Sequence, residues 1–213
     1  MRLGEHTEQP PTILYSPEMR SNNAAKACMK KPDLRLKDDP TIWSKVPRKP
    51  DDAVEYLCQR LLEDNPAIGA LADKKGCAPF DEDVRKKLRP AQEILALVYR
   101  FDSEIMCGAV SQFIWNSPFE LNPVEKAIKK LEQADLFKLY EKLGESLDAK
   151  EIEWTDLWKK GHSVPGSGVS CFHDFRKLLN LSWFDKAYLA KHRTNLMKAI
   201  VMFVLKNKKQ FVK

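Results

Sequence analysis

The middle of the chain carries a long stretch of helical periodicity, and this stretch constrains the fold most. It runs from Glu93 to Asn116 and repeats apolar side chains every three or four residues. That spacing places them on one face of a helix. We therefore predict a single amphipathic helix across the whole stretch, at the centre of an all-helical core. Its apolar stripe consists of Ile94, Val98, Phe101, Ile105 and Ala109.

A second set of residues shares another face of the same predicted helix. Glu104, Gly108 and Gln112 recur every fourth residue, and Asn116 continues the set. A glycine inside a helix costs about 1 kcal/mol relative to alanine and lets another backbone come close. We predict that Gly108 lies at a helix crossing. We expect the polar side chains to form a hydrogen-bond network that holds loops onto the core, with a ligand-facing set as the alternative.

The rest of the sequence favours an all-α fold built as a single helical bundle. No alternating strand pattern extends beyond a few residues, and the hydrophobic fraction of 43% is enough to bury a core. Residues 1–50 contain seven prolines, a density that blocks long helices. We predict a proline-rich N-terminal arm over residues 1–50, with a poorly ordered tail as the alternative. An all-helical domain over residues 51–213 follows.

Local signals predict where several helices begin and end. Asp51 opens a helix that stops before Pro66, and Pro90 starts the central helix. Asn122 is the best N-cap in the chain, because a proline follows it at once and a glutamate lies three residues later. The chain closes with a predicted helix over residues 183–211.

Cysteine usage and hydropathy predict a cytoplasmic protein that does not enter a membrane. The five cysteines form no CxxC pair, and the N-terminus has no apolar stretch of the secretory type. The most apolar run, Leu196 to Leu205, is too short to span a bilayer.

The net charge of +6 conceals a strong asymmetry along the chain. Residues 1–80 carry a net charge of +1, residues 81–160 a net charge of −3, and residues 161–213 a net charge of +8. We therefore predict that the protein binds a macromolecule through charge, most readily another protein. The candidate acidic face comprises Glu141, Glu145, Asp148, Glu151, Glu153 and Asp156. The alternative basic face comprises Lys186, Lys191, Arg193, Lys198, Lys206, Lys208, Lys209 and Lys213.

No residue pattern predicts catalysis or cofactor binding. His162, Cys171 and His173 are the one His/Cys cluster, and their spacing is not that of a zinc site. The glycine loop at residues 166–168 matches no nucleotide-binding motif. We predict no catalytic residue, no metal site and no cofactor, with an enzyme that uses the His/Cys cluster as a remaining alternative.

Residues 104–117 resemble the signature helix of the DNA-mimic protein family typified in Neisseria. That signature has Glu, a hydrophobe, two Asn, Gly-Gly-Phe, and then Gln, an aromatic residue and Asn. The matching residues here are Glu104, Gly108, Gln112, Phe113 and Asn116. Met106 and Cys107 replace the two Asn, Ala109 the second Gly and Val110 the Phe. The closing helix also resembles that of the family, so the resemblance extends over about residues 50–213.

The resemblance implies an all-α bundle, a possible homodimer and a binding role without enzymatic activity. In this family a negative surface occupies the DNA-binding face of a transcriptional regulator, so the implied partner is a protein. The alternative function is a basic nucleic-acid-associated protein that uses its C-terminal Lys/Arg-rich helix.

Overall fold

The computed structural model describes residues 33–37, 39–76, 81–150 and 172–213. Within these ranges the protein is helical and contains no β-sheet, apart from one isolated bridge between Leu36 and Val212. The prediction of an all-α fold is confirmed. In chain order the helices are α1 (Pro40–Ser44), α2 (Pro50–Cys58), α3 (Pro66–Lys75), α4 (Glu82–Arg85), α5 (Pro90–Gly108), α6 (Val110–Asn116), α7 (Leu121–Lys130), α8 (Ala134–Asp148), α9 (Phe172–Leu179), α10 (Ser182–Ala187) and α11 (Arg193–Lys206).

Short turns of other helix types connect several of these helices. A π-helical segment, Gln59–Glu63, extends α2, and another, Tyr188–His192, joins α10 to α11. A 3₁₀ turn, Pro118–Glu120, leads directly into α7, and a second, Lys208–Gln210, follows α11. The predicted closing helix is therefore a nearly continuous helical path from α10 to the end of the chain.

Proline is the first residue of several helices, as predicted for Pro90. Pro50 and Pro90 are the first residues of α2 and α5, and the break before Pro66 is confirmed. The side chain of Asn65 accepts hydrogen bonds from the first free N–H groups of α3, which fixes that break.

The predicted cap at Asn122 is wrong. Helix α7 begins at Leu121, two residues before the predicted first helical residue, and the Leu121 N–H donates to the Pro118 carbonyl of the preceding 3₁₀ turn.

The prediction of one helix from residue 93 to residue 116 is wrong. Helix α5 ends at Gly108 and α6 begins at Val110, because Ala109 has φ 77° and ψ 170°. The Val110 N–H donates a 2.8 Å hydrogen bond to the Asp185 carboxylate, which fixes the start of the new helix from a distant part of the chain. Gly108 is close to the Gln112 side chain of α6 rather than to a crossing helix.

Aromatic side chains form the centre of the core, and Phe101 lies among them. Its ring meets Phe113 edge-on at 5.1 Å between centroids, and Tyr188 at 5.5 Å. Tyr140 and Phe184 complete the cluster at 5.8 and 6.4 Å. Such edge-to-face pairs add roughly 0.5–1.5 kcal/mol each beyond the burial of their area. The cluster thereby joins α5, α6, α8, α10 and the π-helical segment after α10.

A partly buried ion network joins the helices beside this cluster. The Arg193 guanidinium donates to both oxygens of Asp102, at 2.7 and 2.9 Å, and to Asp51 at 2.7 Å. The Tyr188 hydroxyl donates to the same Asp102 carboxylate at 2.8 Å. The hydrogen bonds to Asp102 raise the pKa of Arg193, and burial raises the pKa of Tyr188. Arg193 therefore holds α11 to α2 and α5.

Part of the predicted N-terminal arm packs onto the helices. The Leu34 carbonyl accepts hydrogen bonds from Asn65 at 2.8 Å and from Gln92 at 2.9 Å, both buried. Leu36 forms two backbone hydrogen bonds with the C-terminal residues Phe211 and Lys213. Residues 32–213 form one unit by their contacts. The arm ahead of them lies outside the described residues, so its extent stays a prediction.

Replacing Ala109 by glycine should stabilise the protein. Its backbone conformation lies in a region that is essentially restricted to glycine, and a residue with a side chain there stores about 1–3 kcal/mol of strain. The greater freedom of glycine in the unfolded chain offsets about 0.4–1 kcal/mol of that. We expect the free energy of unfolding of Ala109→Gly to rise by about 1 kcal/mol in denaturant titrations. The matched control is Ala70→Gly on the exposed face of α3, which should lose about 1 kcal/mol. A lower free energy of unfolding in both variants would contradict this account.

Candidate partner-binding surface

A groove between α7 and α8 forms the surface with the greatest excess of acidic side chains among the described pockets. Its volume is about 580 Å³, and we call it the acidic groove. The four acids that line it are Glu125 of α7 and Glu141, Glu145 and Asp148 of α8, and no described lysine or arginine lines it. Its floor is formed by apolar side chains, among them Leu143 and Leu147. Phe119 forms part of its wall and is 45% exposed.

The carboxylates of α8 point to one side of the helix. Glu141, Glu145 and Asp148 are spaced by four and three residues, so they share a face, and all three are exposed. The one cation between them, Lys142, lies over the Trp183 ring at 5.0 Å and away from the groove. The three α8 members of the predicted acidic face are thus brought together, whereas Glu151, Glu153 and Asp156 lie outside the described residues.

The acids at the end of α8 oppose the helix dipole. Glu145 and Asp148 lie in the last turn, which contains no basic residue. The C-terminal end of a helix carries partial negative charge, so cations are favoured there by about 0.3–1 kcal/mol each and anions are disfavoured. Helix α7 shows the ordinary arrangement, with Lys129 and Lys130 in its last turn. The end of α8 is therefore electrostatically unfavourable within the folded chain.

Gly144 lies on the floor of the acidic groove in the interior of α8. A β-carbon added to it would meet no heavy atom within 4 Å. Packing within the chain therefore does not require glycine at this position, although glycine lowers helix stability there by about 1 kcal/mol. Its effect on the surface is to leave the helix backbone open to the groove.

The signature residues do not line the acidic groove, and their contacts lie between α5 and α6. Asn116 donates a 2.8 Å hydrogen bond to the Glu104 carboxylate, which ties the end of α6 to α5. Gln112 contacts Gly108, as described above, and Phe113 is fully buried against Phe101. Glu104 and Asn116 thus make the contact expected of a hydrogen-bond network that fixes a loop.

Sequence reasoning missed three charged residues that position Phe119. Glu120 is only 4% exposed, and its carboxylate lies 3.4 Å from Arg85 and 3.5 Å from Arg100. Burial raises the pKa of Glu120, and the two arginines partly oppose that shift. Glu93 forms a further ion pair with Arg85 at 2.6 Å. These residues come from separate segments and have no shared spacing, so no periodic signal could have revealed them.

The predicted basic face is dispersed over the C-terminal part of the chain. Lys186, Lys191, Lys206 and Lys209 are exposed, on elements from α10 to the final 3₁₀ turn. Lys208 lies over the Trp43 ring at 4.8 Å. Arg193 is only partly exposed, and its guanidinium is held by Asp102 and Asp51 in the ion network rather than presented as a free surface cation. Of the predicted His/Cys cluster, His173 is exposed on α9, whereas His162 and Cys171 lie outside the described residues.

The described residues contain neither a side-chain arrangement for a metal ion nor a membrane-spanning helix. No group of three or more His, Cys, Asp or Glu side chains in this part of the chain is arranged to hold a metal ion. None of the described helices is long and apolar enough to cross a membrane.

Removing the charges at the end of α8 should stabilise the fold. Glu145→Gln and Asp148→Asn take negative charge away from the negative end of the helix dipole. We expect each to raise the free energy of unfolding by about 0.3–1 kcal/mol at low salt, measured by denaturant titration, and the gain to shrink as salt is added. Glu141→Gln, further from the helix end on the same face, is the matched control and should change little. A stability loss from the two end variants would show that other charges dominate there.

Comparison with known proteins identifies the family. No curated protein and no solved structure matches the chain. A family model described as DMP19-like protein matches residues 86–206, which begins shortly before α5 and ends with α11. This range contains the signature helix, the acidic groove and Arg193, and it confirms the resemblance to the DNA-mimic family over more than half of the chain. The protein therefore belongs to the DMP19-like family of DNA-mimic proteins.

Proposed function

We propose that this protein acts without catalysis, by placing the acidic groove on the DNA-binding face of a protein partner. The observation that carries the proposal is the groove itself, where four carboxylates and no described cation surround an apolar floor in a protein of net charge +6. Membership in the DNA-mimic family supports the same proposal, that the partner is a DNA-binding protein. Such an interaction makes the protein a regulator that competes with DNA for its partner.

The spacing of the acids resembles that of one DNA strand. Seven residues of helix separate Glu141 from Asp148, a rise of about 10 Å at 1.5 Å per residue. One strand of duplex DNA carries a phosphate about every 3.4 Å along the axis, so it has about four charges over the same length. Helix α8 carries three, and Glu125 of α7 adds a fourth at the groove. The charge density therefore approaches that of one strand.

The apolar floor suits the side chains that proteins direct at DNA. Lysine and arginine have long methylene stems that pack on apolar surface while their charged ends stay near anions. Leu143, Leu147 and the open backbone at Gly144 offer that surface, and the carboxylates lie at its edges. The half-exposed ring of Phe119 can also receive a cation over its face.

The family resemblance also implies a homodimer, which size-exclusion chromatography with light scattering would test.

A second candidate function is nucleic-acid binding by the C-terminal part of the chain, which the net charge of +8 over residues 161–213 favours. Arg193 and Lys208 have partners inside the protein, so that function would depend on Lys186, Lys191, Lys206 and Lys209.

Charge reversal in the acidic groove should abolish partner binding. We would immobilise the protein, capture partners from extracts of the native host, and elute with duplex DNA, which competes for the same face. Proteins eluted by DNA are identified by mass spectrometry and then titrated in purified form. The triple variant Glu141→Lys, Glu145→Lys and Asp148→Lys should weaken binding at least 100-fold, because repulsion replaces attraction at three positions. Binding to the wild type should fall as salt rises.

The control triple is Glu55→Lys, Glu63→Lys and Asp73→Lys, three exposed acids on α2, its π-helical extension and α3. It changes the net charge equally and should leave partner binding within a few-fold of wild type. An equal loss of partner affinity in both triple variants would mean that net charge, and not the acidic groove, governs binding. Unchanged binding in the groove triple would overturn the proposal.

Filling the groove at Gly144 tests the surface without changing charge. Gly144→Ala should raise the free energy of unfolding by about 0.5–1 kcal/mol, since alanine favours the helix and its methyl group meets nothing. Gly144→Phe should keep the fold, as judged by circular dichroism, and weaken partner binding tenfold or more. Gly69 of α3 also has open space around it, so Gly69→Phe is the matched control and should bind normally. Normal binding by Gly144→Phe would show that the partner does not enter the groove.

A further inference from the structure

A second groove lies between the C-terminal ends of α7 and α11, and the proposed function does not use it. Its volume is about 890 Å³, and none of its described lining residues belongs to the acidic groove. We call it the basic groove. Its cations are Lys129 and Lys130 from the last turn of α7 and Lys206 from the last turn of α11, and Lys129, which also lies over the Phe137 ring at 5.1 Å, remains exposed. Glu132 is the one acid among the described lining residues.

The floor of the basic groove is an apolar face of α11 that the described chain leaves uncovered. Between Leu196 and Leu205 this helix contains one polar residue, Lys198, so it is apolar almost all round. A helix of that kind is normally covered on every side. Here Met202 is 66% exposed, and Leu205 is only partly buried. Exposed apolar surface of this kind, rimmed by polar groups, marks an interaction site.

The chemistry of the rim and the floor selects the class of partner. Surplus positive charge at the rim attracts carboxylates or phosphates, while the floor needs apolar side chains. The described floor is mainly aliphatic, and its one aromatic ring, Phe203, is partly buried. Nucleic acids bind such surfaces by stacking bases on exposed aromatic rings. The aliphatic floor therefore favours a peptide over a nucleic acid.

A second copy of the chain fits the basic groove poorly. In a two-fold symmetric dimer the same patch meets itself, so Lys129, Lys130 and Lys206 would face the same three lysines. Like charges placed opposite each other oppose association. The remaining solution is a partner segment that is both acidic and apolar, and an amphipathic helix can present an apolar stripe with acidic side chains along its edges.

We propose that the basic groove binds an acidic amphipathic helix from a protein partner. The apolar stripe of that helix would cover Met202 and Leu205, and its carboxylates would meet Lys129, Lys130 and Lys206. Methionine suits such a surface because its flexible side chain adapts to different apolar shapes. This site is separate from the acidic groove, so the protein would hold a basic partner and an acidic segment at once.

The test uses a synthetic peptide as the probe. The peptide has 14 residues, blocked ends and a fluorescein label, with leucines at helical spacing on one face and glutamates elsewhere. Titration of the full-length protein by fluorescence anisotropy should give saturable binding that weakens as salt rises. A scrambled peptide of the same composition, which has no apolar face, should bind at least tenfold more weakly. Absence of saturable binding at 0.1 mM protein would overturn the proposal.

Variants of the protein separate the contributions of charge and apolar contact. Lys129→Glu, Lys130→Glu and Lys206→Glu combined should weaken peptide binding at least 100-fold. Met202→Ala, at an exposed position that does not support the fold, should weaken it about tenfold. The control triple changes three exposed lysines outside the groove, Lys74, Lys87 and Lys177, to glutamate and should bind within a few-fold of wild type.

Besides absence of saturable binding, three results with the variants and a nucleic-acid probe would overturn the inference. The control triple could lose binding as strongly as the groove triple, or Met202→Ala could have no effect. A labelled 14-nucleotide oligothymidine could bind as tightly as the peptide and lose affinity in the same groove variants, which would make the site a nucleic-acid site. The charge-reversed variant of the acidic groove should bind the peptide normally, so failure of the proposed function and failure of this inference are distinguishable.

Discussion

The interaction on which the arrangement of helices depends is the ion network of Arg193. Its guanidinium reaches two carboxylates from different helices, Asp102 of α5 and Asp51 of α2, and Tyr188 donates to the first of them. Asp102 is only 7% exposed, so removing Arg193 would leave a buried carboxylate without its ionic partner, which destabilises the fold. The network therefore fixes the position of α5 more strictly than apolar contacts alone, since its hydrogen bonds tolerate little displacement. Phe101, the residue before Asp102, is thereby fixed at the centre of the aromatic cluster.

The position of α5 determines the path of the chain toward the acidic groove. Because α5 is fixed, α6 can contribute Phe113 to the aromatic cluster only if the chain turns sharply at Ala109. Asp185 supports that turn by accepting a hydrogen bond from Val110. Asn116 then binds back to Glu104, and the buried carboxylate of Glu120 is held between Arg85 and Arg100. These contacts leave Phe119 directed outward at the wall of the groove. The signature residues thus influence the geometry of a surface that they do not themselves form.

The sequence predicted the features that depend on neighbouring residues. Pro90 starts α5 as predicted, because the proline ring fixes the backbone angle in the first turn of a helix. The spacing of Glu141, Glu145 and Asp148 predicted a shared face for the same local reason. The turn at Ala109 was missed because its cause, Asp185, lies 75 residues beyond Val110 in the chain. Arg193 was assigned to the basic face because a sequence shows the sign of a charge but not the carboxylates that will surround it.

The acidic groove itself could not be predicted, since it arises where two helices meet. Glu125 and Phe119 lie on it beside the α8 acids, although no spacing in the sequence relates them to that helix. The end of α7 nonetheless provides a comparison within the same chain. There the lysines interact favourably with the negative end of the helix dipole. At the end of α8 the acids interact unfavourably with it, and Gly144 weakens the helix further. Natural sequences mostly contain residues that favour their own fold. Residues that lower the stability of a helix are therefore expected mainly at binding surfaces. Helix α8 combines two such features on one face, and that face is the acidic groove.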